Sequence, residues 1–202
     1  MTRIVAGAAR GRPLVVPVGR ATRPTSDRVR EAIFSTVESV RGGLGGARVL
    51  DLYAGSGALG LEALSRGAVH VFLVESDARA ARVIRGNIAS LGLEGADVAV
   101  GRVERIVAGP PPAGLGYDLL LADPPYAIGD PALRAVLATA ADNGWLATDA
   151  LLVVERATTG GQFDWPPGVL ADRSRRYGET TVWYGRRAEQ PERESSRSRR
   201  TR

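Results

Sequence analysis

The apolar and polar positions alternate from the first residues. Two short apolar runs, Ile4-Val5-Ala6-Gly7 and Pro13-Leu14-Val15-Val16-Pro17, flank Arg10-Gly11-Arg12. That pattern predicts a basic β-hairpin. Asp27 or a neighbouring hydroxyl can cap a helix in which Val29, Ile33, Phe34, Val37 and Val40 fall at helical spacing, and Gly42-Gly43 and Gly45-Gly46 end it. Beyond residue 47, strand and helix patterns take turns. Strands are predicted at 48–53, 69–74, near 98–100, at 117–122 and at 151–155, with helices at 59–65, 78–91 and 131–141 between them. A closing hairpin joins 169–176 to 180–184 through Tyr177-Gly178-Glu179. Strands alternating with helices predict an α/β fold of the Rossmann-like kind. The open sheet is mostly parallel, with a C-terminal antiparallel hairpin and an N-terminal β-hairpin extension.

Composition narrows the class. At 202 residues the chain suits one domain, and 44% hydrophobic with 24% charged residues is ordinary for a globular protein. With no cysteine and the single histidine His70, neither a disulfide framework nor a thiolate or histidine-rich metal centre is available, so no metal is expected. No apolar run approaches the roughly 20 residues that span a bilayer, which leads to the expectation of a cytoplasmic protein, with no membrane partner, acting as a monomer. His70, inside an apolar strand, reads as structural. Trp145, Trp165 and Trp183 are expected at the periphery.

Charge is distributed unevenly. Every basic residue is arginine; residues 1–30 carry a net +6, residues 186–202 a net +4, and the intervening body −5. Basic ends on an acidic body point to a polyanionic partner. Arg10, Arg12, Arg20, Arg23, Arg28 and Arg30 are the candidate phosphate contacts. The expected organisation is a basic hairpin extension over residues 1–26, a catalytic domain over 27–186 and a disordered Arg-rich tail over 187–202.

Two motifs carry chemistry. Gly55-Ser56-Gly57-Ala58-Leu59-Gly60 follows a strand and opens a helix, and Glu75 ends the next strand, where a carboxylate can accept ribose hydroxyls. Both features suit either NAD or S-adenosylmethionine. Asp51, at the end of the first strand of the alternation, separates the two. A carboxylate sits poorly beside a pyrophosphate but favourably beside an ammonium and a sulfonium; a strand-end Asp capping its own loop is the plainer alternative. The second motif is Asp123-Pro124-Pro125-Tyr126. An exocyclic amine is a poor nucleophile because its lone pair is delocalised into the ring. The Asp123 carboxylate and the Pro124 carbonyl can each accept one amine proton, Pro124 and Pro125 stiffen the turn, and Tyr126 offers a face for a base to stack on.

Together these residues resemble the class I S-adenosylmethionine-dependent amino-methyltransferases. Arg10-Gly11-Arg12 with Thr22-Arg23-Pro24-Thr25-Ser26-Asp27-Arg28-Val29-Arg30-Glu31-Ala32-Ile33-Phe34 narrows the resemblance to the bacterial small-subunit (16S) rRNA guanine-N2 methyltransferase D family, over about residues 1–186. The resemblance implies S-adenosylmethionine as cofactor, held by Asp51, Tyr53, Ala54, Gly55, Ser56, Gly57, Glu75 and Ser76. It implies as acceptor a guanine N2 of 16S rRNA near the ribosomal P site, in the assembled or assembling small subunit. Such enzymes often carry an acidic residue after the third strand of the sheet, to bind the adenine amine. Here Gly101-Arg102-Val103-Glu104 stands there, so adenine is expected against backbone and apolar groups near Arg102 and Val103. Three alternatives are weighed: a DNA adenine-N6 methyltransferase, which would want a separate target-recognition domain; an NAD-dependent oxidoreductase, opposed by Asp51; and a non-catalytic RNA-binding protein.

Overall fold

The computed structural model describes residues 2–17 and 26–188. Its core is a seven-stranded sheet between two helical layers. In chain order the elements are β1 (Thr2–Arg3), β2 (Pro13–Leu14), α1 (Asp27–Arg41), β3 (Arg48–Leu52), α2 (Ala58–Ser65), β4 (His70–Glu75), α3 (Ala78–Leu91) and β5 (Ala96–Val100). There follow α4 (Val103–Val107), β6 (Tyr117–Ala122), α5 (Asp130–Asp142), β7 (Leu146–Ala157), β8 (Val169–Tyr177) and β9 (Thr180–Arg187). The sheet order is β5-β4-β3-β6-β7-β9-β8, parallel from β5 to β7, with β9 antiparallel to both its neighbours.

The central strands are apolar on both faces because helices cover both. Val49, Val71, Leu73, Leu119, Leu121, Leu151 and Val153 join the core beneath α1, α2 and α3. Their neighbours Leu50, Leu52, Phe72, Val74, Leu120, Leu152 and Val154 face the opposite core, with α4 and α5. Asp51 is the exception, a buried acid in a strand otherwise fully apolar after its first residue. Helix α1 begins as its sequence suggests: Ser26 Oγ accepts the Val29 amide, and Gly42 ends the helix at φ 78°.

The differences from the sequence reading have physical causes. Pairing in the N-terminal hairpin is confined to Thr2–Arg3 and Pro13–Leu14 rather than the longer runs expected. The amides of Val5 and Ala6 are instead taken by the Glu62 carboxylate at 2.7 and 2.9 Å, and those of Ala8 and Ala9 by the Ser65 carbonyl and hydroxyl. The hairpin is thereby bonded to α2, and Ile4, Ala9 and Leu14 enter the main core. Gly7, at φ 79°, lies so close to the Ser65 carbonyl that a Cβ would fall 1.8 Å from its oxygen. Trp145, expected at the periphery, is 1% exposed and stacks on Tyr117 at 6.0 Å, its indole N–H donating to the Gly109 carbonyl. Helix α4 was not legible in the sequence, and β7 begins five residues before its apolar run. The expected tail falls outside the described residues from 189 onward, while Arg187 extends β9.

Candidate active site

From β3 the chain builds outward through β4 and β5, then returns to the other side of β3 with β6 and β7. The reversal opens a crevice beyond the carboxyl ends of β3 and β6, where open α/β sheets bind ligands. Both motifs end there. Leu52 pairs with Val74 on one side and Ala122 on the other, so Tyr53, Glu75 and Asp123 stand level on three adjacent strands.

Asp51 is 2% exposed, and its Oδ2 accepts the Gly60 amide at 2.9 Å in the first turn of α2. The plainer reading of this residue, a cap on its own loop, is therefore realised as geometry. Burial pushes its carboxyl up to about 7, against the Gly60 hydrogen bond, and the charges of Asp123 and Glu75 push the same way. A cation in the crevice would favour the ionised form and offset the charges of Asp123 and Glu75. Gly60 permits the approach: a Cβ there would lie 2.8 Å from Val71 Cγ1 and 3.0 Å from Asp51 Oδ2.

The loop between β3 and α2 is held in an unusual shape. Tyr53 takes φ 63°, sparsely populated for a residue with a Cβ, and Gly55 and Gly57 take 59° and 80°. Glu75, 1% exposed, fixes it from the next strand: Oε2 accepts the Gly55 amide at 2.9 Å and Oε1 the Asp77 amide at 2.8 Å, with Ser76 Oγ at 3.4 Å. An ionised carboxylate offers about four acceptor positions, so it can serve both the loop and a ligand. The Tyr53 hydroxyl is buried with no hydrogen-bond partner among the described residues, and burial raises it to about 12. Ala54 and Ser56 are half-buried in the same loop.

Across the crevice, Asp123 is half-buried, Pro124 buried, Pro125 half-buried and Tyr126 61% exposed. An exposed aromatic ring beside a carboxylate at the mouth of a cleft is suited to stacking a planar ligand. The turn is secured by Arg156, which the sequence did not single out. Its guanidinium donates to the Ile128 carbonyl at 2.8 Å and pairs with Asp130 at 2.7 Å, tying the end of the turn to β7. Asn87 was equally unmarked. It is 2% exposed, exchanges hydrogen bonds with the Val15 amide and carbonyl at 2.9 and 3.0 Å, and donates to the Ser56 carbonyl at 3.0 Å. The segment after β2 is thus joined to the glycine loop. No sequence signal distinguishes either side chain from an ordinary surface residue.

The remaining sequence candidates scatter. Arg102 is exposed at the start of α4, 3.5 Å from Glu104, and Val103 is buried in the α4–α5 core. Arg10 and Arg12 are exposed at the hairpin tip, which packs at the C-terminal ends of α2 and α3; Arg12 donates to the Ser90 carbonyl. About 12 Å of helix separates that end of α2 from the glycine loop. Arg28 is exposed on α1. Arg30, expected to face phosphate, is wholly buried: it pairs with Asp27 at 2.8 Å, stands 3.5 Å from Glu62 and donates to the Arg3 carbonyl. Its charge completes the Glu62 site beneath the hairpin, which no phosphate reaches. Arg20 and Arg23 lie outside the described residues. Among the described residues no cluster of three potential ligands could hold a metal ion, and no helix is long and apolar enough to cross a membrane.

A family model described as "Conserved hypothetical protein 95" matches residues 2–186. The ribosomal RNA small subunit methyltransferase D of Escherichia coli strain K12 is 39% identical over 159 residues, covering 79% of this chain and 76% of that protein. YlbH of Bacillus subtilis strain 168, described as a candidate rRNA methyltransferase, is 36% identical over 154 residues, covering 76% and 81%. The solved structure of yhhF from Escherichia coli, described as a candidate methyltransferase, matches with a TM-score of 0.81 at 34% identity over 93% of this chain and 98% of that one.

Proposed function

The chain belongs to the Conserved hypothetical protein 95 family, alongside the bacterial small-subunit rRNA methyltransferases D, and from that premise we propose that it methylates the exocyclic N2 amine of a guanine in 16S rRNA with S-adenosylmethionine as donor. The observation that carries the reading is the meeting of Asp51, the glycine loop, Glu75 and Asp123 at one reversal point of the sheet. A buried Asp51 pushed up by burial and by the neighbouring charges of Asp123 and Glu75 suits a ligand bearing an ammonium and a sulfonium, and opposes a pyrophosphate.

When bound, S-adenosylmethionine supplies an electrophilic methyl group. Asp51 would hold the methionine ammonium and Glu75 the ribose hydroxyls, while Tyr53, Ala54, Gly55, Ser56, Gly57 and Ser76 would form the wall between them. Backbone near Arg102 at the start of α4, supported by the buried Val103, would hold the adenine. Asp123 Oδ and the Pro124 carbonyl accept the two protons of the guanine amine and so hold its nitrogen with the lone pair aimed at the methyl. Pro125 stiffens that turn, and Tyr126 stacks on the extruded base, an interaction worth about 1–3 kcal/mol. Proximity and alignment then supply most of the acceleration. As the N–C bond formed and the donor's S–C bond broke, releasing a neutral thioether, the amine would become acidic, so Asp123 could take its proton without being a strong base. Arg28 and Arg10, with Arg12 and the Arg20–Arg23 segment, are the proposed phosphate contacts.

The test is transfer of labelled methyl from S-adenosylmethionine to small subunits from a strain lacking this protein, beside free 16S rRNA and duplex DNA. Label recovered as N2-methylguanine on subunits alone is the expected result. Label in DNA adenine would overturn the substrate but keep the chemistry, and no transfer to any acceptor would overturn the enzyme reading.

A further inference from the structure

The outermost strand, β8, is exposed from Leu170 to Arg176 and carries Arg173, Arg175 and Arg176 against the single acid Asp172. It lies in the otherwise acidic body of the chain. Its outer edge pairs with no strand among the described residues. The register fixes where these arginines stand. Ala122 pairs with Val154, Val154 with Trp183, and Trp183 with Ser174. Because β8 runs parallel to β6, the next residue along, Arg175, is level with Asp123. Three strand spacings of about 4.8 Å separate the two strands, roughly 14 Å in all. Arg173 and Arg175 lie opposite Tyr184 and Val182, on the α1 side of the sheet, while Arg176 lies opposite Thr181 on the other side. The edge is therefore basic on both faces at the height of the catalytic turn. Arg173 is 3.2 Å from Asp172 and Arg176 donates to the Gly178 carbonyl, whereas the Arg175 guanidinium makes no hydrogen bond or ion pair among the described residues.

We infer that the carboxyl-end half of β8 is a second RNA-binding surface, in which Arg173, Arg175 and Arg176 contact the phosphates of nucleotides flanking the target. This rests on the proposed function. At about 3.4 Å per nucleotide along one strand, a 14 Å offset corresponds to about four nucleotides from the base at Asp123. The Arg10–Arg12 tip lies instead at the far end of α2. The edge strand is thus the basic surface in register with the catalytic turn, and it requires no movement of the chain. Arginine also protects exposed strand edges from pairing with another chain, and that explanation makes a different prediction. Protection needs charge of either sign, whereas phosphate binding needs positive charge.

The discriminating experiment compares R173E/R175E/R176E with R173A/R175A/R176A and the wild type in filter binding to 16S rRNA across a salt series. Methyl transfer to small subunits and affinity for S-adenosylhomocysteine are measured alongside. The charge-reversed protein is expected to bind RNA at least tenfold more weakly at low salt. Its log–log salt slope should be shallower by about two, as for loss of three phosphate contacts. S-adenosylhomocysteine affinity should stay at the wild-type value, which reports an intact fold. Unchanged RNA affinity and slope in a wild type that does methylate would overturn the second surface and leave the function standing. The surface is equally overturned if the alanine variant self-associates while the glutamate variant stays monomeric with full RNA affinity. A wild type that binds RNA through β8 but transfers no methyl would overturn the function and keep the surface.

Discussion

At the scale of the residue, the site depends on carboxylates in unlike surroundings. Asp123 stands at the mouth, so Asp123→Ala should abolish turnover while leaving S-adenosylhomocysteine binding within a few-fold of wild type by calorimetry. A large loss of cofactor affinity would contradict the division of labour between the two motifs. Asp51 is buried and raised to about 7, chiefly by burial. Between about pH 4 and 7 the folded protein therefore holds a proton that the unfolded chain has released, and stability falls as pH rises through that window. Asp51→Asn should remove that slope in urea titrations at successive pH values, and a slope unchanged in the variant would show that Asp51 is not its source. Binding of a cationic ligand draws on the ionised form, so wild-type affinity for S-adenosylmethionine should increase from pH 6 to 8.

Whole elements are positioned by a few partly or wholly buried polar groups. Arg156 ties the end of the Asp123–Tyr126 turn to β7 through the Ile128 carbonyl and Asp130. Arg156→Met keeps much of the side-chain volume and removes both bonds. We expect kcat to fall by one or two orders of magnitude with little change in S-adenosylhomocysteine affinity, since alignment at the reacting nitrogen is what the turn provides. An unchanged kcat would mean that the prolines suffice to hold the turn. Glu62 ties the hairpin to α2 and pairs with both Arg30 and Arg66, all three side chains nearly or wholly buried. Removing Glu62 leaves Arg30 with Asp27 alone and Arg66 with the more exposed Glu31 and Glu38, and strips the Val5 and Ala6 amides of their acceptor, so Glu62→Ala should cost about 3 kcal/mol in chemical denaturation. A cost below about 1 kcal/mol would show that Asp27, Glu31 and Glu38 suffice to hold the two guanidiniums.

The N-terminal segment reads as an extension in the sequence, yet it contributes Ile4, Ala9 and Leu14 to the main core. Burying one aliphatic side chain the size of Ile or Leu is worth about 1.5–3 kcal/mol. Deleting residues 2–14 should therefore lower the melting temperature of the entire sheet rather than merely weaken RNA binding. A truncated protein that melts like the full chain and loses only RNA affinity would restore the picture of an appended arm. The same segment reaches the glycine loop through Asn87. That contact joins the chain leading to residues 18–25 to the glycine loop.

The sequence by itself determined the strand–helix alternation, the capping of α1 and the places of both motifs. Each of these is local: apolar periodicity, a hydroxyl beside an amide, glycines where φ must be positive, prolines after an acid. It also marked Asp51, because an acid in an apolar strand stands out from its neighbours. The tertiary structure alone decided which arginines remain outside. Arg28 and Arg30 are two residues apart in sequence, but the helix turns one outward and the other onto Glu62, thirty-two residues further along. Trp145 reads as peripheral in the sequence, because nothing nearby in it reveals that Tyr117 and Phe72 close over it. Arg156, Asn87 and the β8 arginines have the same origin. Their partners and their height relative to Asp123 are set by strand order and register, and those depend on contacts between distant parts of the chain.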